Sequence, residues 1–158
     1  ATTDGLFGWD PAGNLLPGSI PGNFFDGLPD GKLLIGADID DDNIQAYTRD
    51  FVLVGETTPG SVDFPEQIQV VSGNRLAVAS FSDEAVFFFD LADGTLLSSF
   101  PLRNGGNGRG IYELPSGNFL VTDNTNGIDE YDPDGIFIRN IAAGSSFRYI
   151  ELCNNFTP

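Results

Sequence analysis

The run from Ile111 to Ile141, IYELPSGNFLVTDNTNGIDEYDPDGIFIRNI, holds four short apolar stretches separated by turn residues. The first ends at a Gly turn around Gly117. The second leads into an acidic, Asn-rich loop, the third ends on the aromatic Tyr131, and the last follows a second turn at Asp132–Gly135. The same order recurs upstream in IQVVSGNRLAVASFSDEAVFFFDLADGTLLSSF (residues 68–100) and in GLPDGKLLIGADIDDDNIQAYTRDFVLVGET (residues 27–57). Two partial copies flank them. DGLFGWDPAGNLLPGSI (residues 4–20) carries the second half of the unit, and FRYIELCNNF (residues 147–156) carries the first half. The aromatic of the third stretch falls at Trp9, Tyr47, Phe89 and Tyr131, in steps of 38, 42 and 42, and the step from Tyr131 round to Trp9 is 36. The first-turn glycines Gly31, Gly73 and Gly117 are 42 and 44 apart. In the last copy Asn154 or Asn155 takes that place, and Asn tolerates left-handed backbone better than most residues.

A period near forty residues built of four short strands predicts an all-β chain, a β-propeller of about four four-stranded blades. The units are 23–57, 66–100, 109–141 and a fourth split between 147–158 and 4–20, forming a single domain over 1–158. Within each unit the innermost strands are expected at 23–28, 66–71, 109–114 and 147–152. The second strands fall at 32–37, 75–80 and 118–122. The third fall at 6–10, 44–48, 85–90 and 128–132, and the outermost at 15–20, 51–56, 95–100 and 136–141. KLLIGA, RLAVAS and NFLVTD are continuously apolar, as expected where both faces of a sheet are covered. In AVFFFDL, Val86 and Phe88 point to one face while Phe87 and Phe89 point to the other. The recurring aromatics occupy equivalent positions, which predicts core between blades rather than a ligand cage. The residues after them, Asp10, Thr48, Asp90 and Asp132, read as turn starters whose side chains accept nearby backbone N–H groups.

Composition narrows the partners. There are 23 acidic residues against 7 basic ones, a formal net charge of −16, and Lys32 is the single lysine. Such a chain repels nucleic-acid phosphates and anionic lipid, so neither is an expected partner. No apolar run approaches the ~20 residues of a membrane-spanning helix, so no membrane insertion is expected. An amino-terminal Ala in a chain without Met is the expected product of signal-peptide cleavage, which places the protein outside the cell or on its surface. One cysteine, Cys153, cannot form an internal disulfide. It reads either as a buried apolar residue or as a crosslink to a second chain at the seam between the termini.

The split blade has two resolutions. Both halves of one chain close the ring, or the half-blade of one chain pairs with that of the next, giving a dimer or a filament. An unpaired edge strand is a hazard, so the half-blades are expected to find partners. Self-association is the expected interaction.

Two residue groups carry candidate chemistry. The loop DIDDDN sets Asp38, Asp40 and Asp42 close together as hard oxygen ligands, the candidate Ca2+ site, although the spacing lacks the EF-hand Gly and Glu. Arg103, Arg109 and Arg148 lie at the inner strands, the first two joined by RNGGNGRG, and form the candidate ligand-binding group; the alternative is a flexible blade connection whose arginines pair with neighbouring carboxylates. Catalytic candidates are absent. Without histidine there is no Ser-His-Asp triad, no His-ligated zinc and no imidazole base. Channel carboxylates remain at Asp26, Glu66, Glu113 and Glu151, but they fall on different rungs of the repeat.

The stretch LPSGNFLVTDNTNGIDEYDPDG (residues 114–135) resembles blades of NHL-type secreted bacterial propellers, including gluconolactonase-like and arylsulfotransferase-like groups. The resemblance implies fold far more than activity. Arylsulfotransferase-like chemistry needs histidine and is excluded. Two functions follow. One is a non-catalytic secreted propeller acting as a structural, assembly or surface-binding module, with a glycan or cell-surface partner. The other is a Ca2+-dependent, lactonase-like hydrolase or a carbohydrate-binding propeller using the acidic loop face.

Overall fold

The computed structural model describes residues 5–6, 12, 14, 20–21, 24–27, 33–58 and 60–151, with side chains described from 35 onward within those spans and at 12 and 14. Strands β1 (Gly5–Leu6) and β2 (Ile20–Pro21) form a short antiparallel pair, Leu6 opposite Ile20. Three four-stranded sheets follow. The first contains β3 (Phe24–Gly27), β4 (Leu33–Asp38), β5 (Asn43–Thr48) and β6 (Leu53–Glu56). The second contains β7 (Pro65–Val71), β8 (Arg75–Ser80), β9 (Ala85–Asp90) and β10 (Leu96–Pro101). The third contains β11 (Gly108–Glu113), β12 (Phe119–Asp123), β13 (Gly127–Tyr131) and β14 (Phe137–Ala143). Each is an antiparallel meander in chain order. These bounds match the strands read from sequence to within one or two residues.

Turn chemistry explains the regularity. Gly73 and Gly117 adopt φ of +74° and +86° in the first hairpin turns, where a side chain would be strained. Asp90 Oδ1 accepts the Ala92 N–H at 2.7 Å, and Asp132 Oδ1 accepts those of Asp134 and Ile136 at 3.0 and 2.8 Å. Thr48 Oγ1 accepts the Val52 N–H at 3.2 Å. The short side chains after each aromatic therefore start the second turn, as expected; Asp10 lies outside the described residues.

The leading strands lie inside, with β7 packed against both β3 and β11. The trailing strands β6, β10 and β14 lie outside and are exposed along most of their length. Two apolar cores separate the sheets. Ile35, Ala37 and Ile44 of the first sheet meet Ile68, Leu76, Val78 and Phe89 of the second. Val86 and Phe88 on the opposite face of the second sheet meet Ile111, Phe119, Val121 and Tyr131 of the third. The alternation in AVFFFDL thus feeds two cores from one strand. Phe89 and Tyr131 are buried in the two cores, as expected of inter-sheet aromatics, and Tyr47 is buried as well. Trp9 lies outside the described residues.

The expected innermost strand at 147–152 is corrected in its described part. Residues 147–151 form no strand ladder. Side chains meet the peptide groups of Ile150 and the Arg148 carbonyl instead. Ile150 donates its N–H to Gln67 Oε1 and accepts from Gln67 Nε2, both at 3.0 Å, and the Arg148 carbonyl accepts the Thr122 hydroxyl. Gly110 permits this approach, since a Cβ there would stand 2.6 Å from the Arg148 carbonyl oxygen. Cys153 and the remainder of the carboxyl-terminal segment lie outside the described residues.

Phe119 is fully buried, and its ring centroid lies 5.1 Å from that of Phe88. Phe119→Ala is expected to lower unfolding free energy by about 3–5 kcal/mol. Leu97→Ala, on exposed β10, is expected to change it by less than about 0.5 kcal/mol. Urea titrations of both variants check the contrast.

Candidate functional site

The sheet edges at the axis leave backbone groups that the ladders cannot satisfy. Among the described strands β11 pairs with β12 alone, so alternate N–H groups face inward. Polar side chains of β7 receive them. Gln67 Oε1 accepts the Ile111 N–H at 3.3 Å, and Gln69 Oε1 accepts the Glu113 N–H at 2.8 Å. Glu113 reaches back, accepting the Ser72 N–H and hydroxyl at 2.7 and 2.5 Å. Gln67 also donates to Glu151 Oε1 at 3.1 Å. One carboxamide therefore bridges β7, β11 and residues 150–151.

Beside this bridge sits the most electrostatically loaded group at the axis. Glu66 is 3% exposed and ion-paired with Arg109, whose guanidinium lies 4.2 Å from the Phe81 ring centroid. Tyr149 Oη donates to Glu66 Oε2 at 3.4 Å. Burial pushes the Glu66 carboxyl above its ordinary value, and the favourable charges of Arg109 and Arg148 only partly offset that. The local environment thus favours a proton on Glu66 more than water does.

The three candidate arginines do not converge on one open site. Arg109 is engaged with Glu66. Arg103 forms a bidentate pair with fully buried Asp129, at 3.0 and 3.1 Å, and covers the Phe137 ring at 4.7 Å. Arg148 is exposed and contributes its charge near Glu66. The intervening Gly-rich loop packs on acids rather than opening toward an anion. A Cβ at Gly105 would stand 2.9 Å from Glu84 Oε2, and one at Gly106 would stand 2.7 Å from Asp123 Oδ2.

The acidic loop is likewise occupied by its own turn. Asp38 Oδ1 accepts the N–H groups of Asp40 and Asp41 at 3.0 and 3.4 Å, and Asp42 Oδ1 accepts that of Phe64 at 2.9 Å. Asp40 is exposed. Among the described residues, no group of three or more His, Cys, Asp or Glu is arranged to hold a metal ion. Asn43, opposite Asp38 at the end of the hairpin, is 1% exposed with neither amide atom hydrogen-bonded. Of the channel carboxylates, Glu66, Glu113 and Glu151 each serve a different partner; the side chain of Asp26 lies outside the described ones.

Sequence reasoning did not single out Gln67 and Gln69. Their only signal was polar residues alternating with apolar ones in PEQIQVV, a pattern equally suited to a solvated strand face.

No protein-family model matches the chain, and no curated protein matches it. Solved structures do. A streptogramin B lyase superposes with TM-score 0.66 at 14% identity, over 79% of this chain and 42% of its own. An inactive virginiamycin B lyase from Staphylococcus aureus, solved with quinupristin, gives 0.70 at 15%, over 86% and 48%. The hydrazine synthase of Kuenenia stuttgartiensis gives 0.66 at 19%, over 80% and 37%. At these identities the likeness establishes the fold, which is β-propeller-like. The chain spans less than half the length of each of these three proteins.

Because Glu66 holds its proton to higher pH when folded than when unfolded, its contribution to stability falls as pH rises from the ordinary value of 4.5 through its own elevated one. Carboxyl-carbon NMR is expected to show Glu66 titrating above the other glutamates. Glu66→Gln is expected to flatten the decline in stability over that window. A Glu66 midpoint at or below 4.5 contradicts the reading.

Proposed function

We propose that this chain is a non-catalytic propeller module that works through assembly, its outer and open sheet edges completed by another propeller segment, of which a second copy is the simplest. The observation that carries this reading is the third sheet's outer strand. Ile136, Phe137, Ile138 and Ile141 are 39–64% exposed on and beside a strand whose outer edge pairs with no other strand among the described residues. Exposed apolar strands of this length favour pairing or burial against a partner.

Two further points support it. Arg103, Arg109, Asp38 and Asp42, the side chains offered as ligand or metal groups, are engaged within the chain, which leaves little free chemistry on that face. The chain also spans less than half of the similar propellers, so material equal to this chain again fits a ring of their size. An extracellular or cell-surface setting suits the net charge of −16, which keeps such a surface soluble. There Cys153, the one cysteine of the sequence, is the residue offered for a crosslink between two copies.

Sedimentation velocity over a wide concentration range tests the reading. The wild-type chain is expected to show a concentration-dependent dimer or larger species. Ile138→Glu with Ile141→Glu is expected to remove it while leaving the melting temperature within a few degrees, as for exposed positions. A wild-type chain that stays monomeric at the highest concentration overturns the proposal.

A further inference from the structure

We propose that the cleft between the first and second sheets is a binding site for a small organic ammonium ion carrying an apolar or aromatic body. The argument begins with two equivalent places in the repeat. In the second sheet, Phe88 and Phe100 point toward the third sheet and fill the wedge between them. Phe88 stacks against Phe119 at 5.1 Å and Phe100 against Tyr131 at 5.1 Å. Register identifies their counterparts in the first sheet. Phe88 stands opposite Ser98 as Ala46 stands opposite Gly55. Phe100 stands opposite Val86, and Thr57, whose N–H donates to the Ile44 carbonyl at 2.9 Å, occupies the matching place opposite Ile44.

Two phenyl rings are thus replaced by a methyl and a small hydroxyl side chain. The backbone repeat keeps the sheets apart, so the missing volume becomes space. A cavity of about 260 Å³ lies there, floored by Ile35, Ile44, Ala46, Leu76, Phe89 and Leu91. That is just below the usual range of small-ligand sites, about 300–1,000 Å³, and suits a single ring. Apolar walls without neighbours forgo dispersion contacts that an apolar guest restores.

The rim selects the charge of the guest. Asp90 and Asp93, at the end of β9 and in the turn after it, line the cavity, and no lysine or arginine is among its described lining residues. Hydrogen bonds from Thr95 hold the Asp93 carboxyl below the usual carboxylate range, so it is anionic at neutral pH. An apolar floor bordered by the carboxylates at the turn after β9 favours an ammonium on an apolar body over a neutral or anionic analogue.

The test uses the full chain with 2-phenylethylammonium, 2-phenylethanol and 3-phenylpropionate as probes. Amide NMR is expected to show saturable shifts at Ala46, Gly55 and Gly94 with the ammonium. The alcohol is expected to bind about fivefold more weakly and the carboxylate more weakly still. Asp93→Asn is expected to cut the ammonium's advantage over the alcohol at least twofold. Gly55 shares Ala46's face, and a Cβ there would meet nothing within 4 Å, so Gly55→Leu plugs the cleft without a clash. That variant is expected to fold with an unchanged or raised melting temperature and to lose binding by about tenfold or more. Ala46→Phe, which restores the ring found in the second sheet, is expected to do the same. Absence of saturable shifts, equal binding of the carboxylate, or undiminished binding by a folded Gly55→Leu variant overturns the proposal.

Discussion

Sheets arranged around an axis bring edge strands together where there is room for neither a shared ladder nor bulk water. Every inward N–H of β11 must find an acceptor, because an unpaired buried donor costs about 1–3 kcal/mol. In this chain the neighbouring sheet supplies that acceptor from its side chains. Gln67 and Gln69 present carboxamide oxygens to Ile111 and Glu113, and Glu113 returns its carboxylate to Ser72. Gln67 also presents both donor and acceptor to Ile150, as a peptide unit would. The carboxamides stand in for a strand that geometry forbids, and they fix the spacing of β7 and β11.

Farther from the axis the sheets diverge, and apolar volume takes over from hydrogen bonding. Between the second and third sheets, Phe88, Phe100, Phe119 and Tyr131 fill the widening gap with centroids 5.1–6.0 Å apart. Tyr131 also ties the core to the loop above it, accepting the Arg103 N–H at 2.9 Å while Arg103 clamps Asp129. Between the first and second sheets, Ala46 and Thr57 stand in for the two phenylalanines and a cavity results. The repeats share a backbone but differ in how they close the wedge. Function in such a fold rests on those differences, since fold alone does not set activity.

Much of the architecture was legible because each strand is bounded by residues with one conformational use. Gly73 and Gly117 supply positive φ, and Asp90 and Asp132 open turns through their own carboxylates, so period and strand limits follow from local chemistry. The pairing of inner strands was not legible. Glu66, Gln67 and Gln69 meet partners more than forty residues away, and nothing in PEQIQVV distinguishes an axial bridge from a solvated face. The same reason undid the reading of residues 147–152 as a strand, since their described partners are side chains rather than a ladder. The arginines, which the sequence left between a ligand group and pairing with neighbouring carboxylates, are paired where the structure describes it, Arg103 with Asp129 and Arg109 with Glu66, although the sequence did not name the partners. The aromatic period marked Phe89 and Tyr131 as core, and the same step of 42 sets Ala46 against Phe88, yet the space left by the missing ring shows only in the packed sheets.

Amide hydrogen exchange at Ile111 and Glu113 tests the axial bridge most directly. Both amides are expected to exchange far more slowly than those of exposed β14. In Gln69→Ala the Glu113 amide alone is expected to lose protection, with the β12–β13 ladder unaffected. Wild-type amides at Ile111 and Glu113 that exchange as fast as those of β14, or a Gln69→Ala variant that leaves Glu113 protected, would contradict the account.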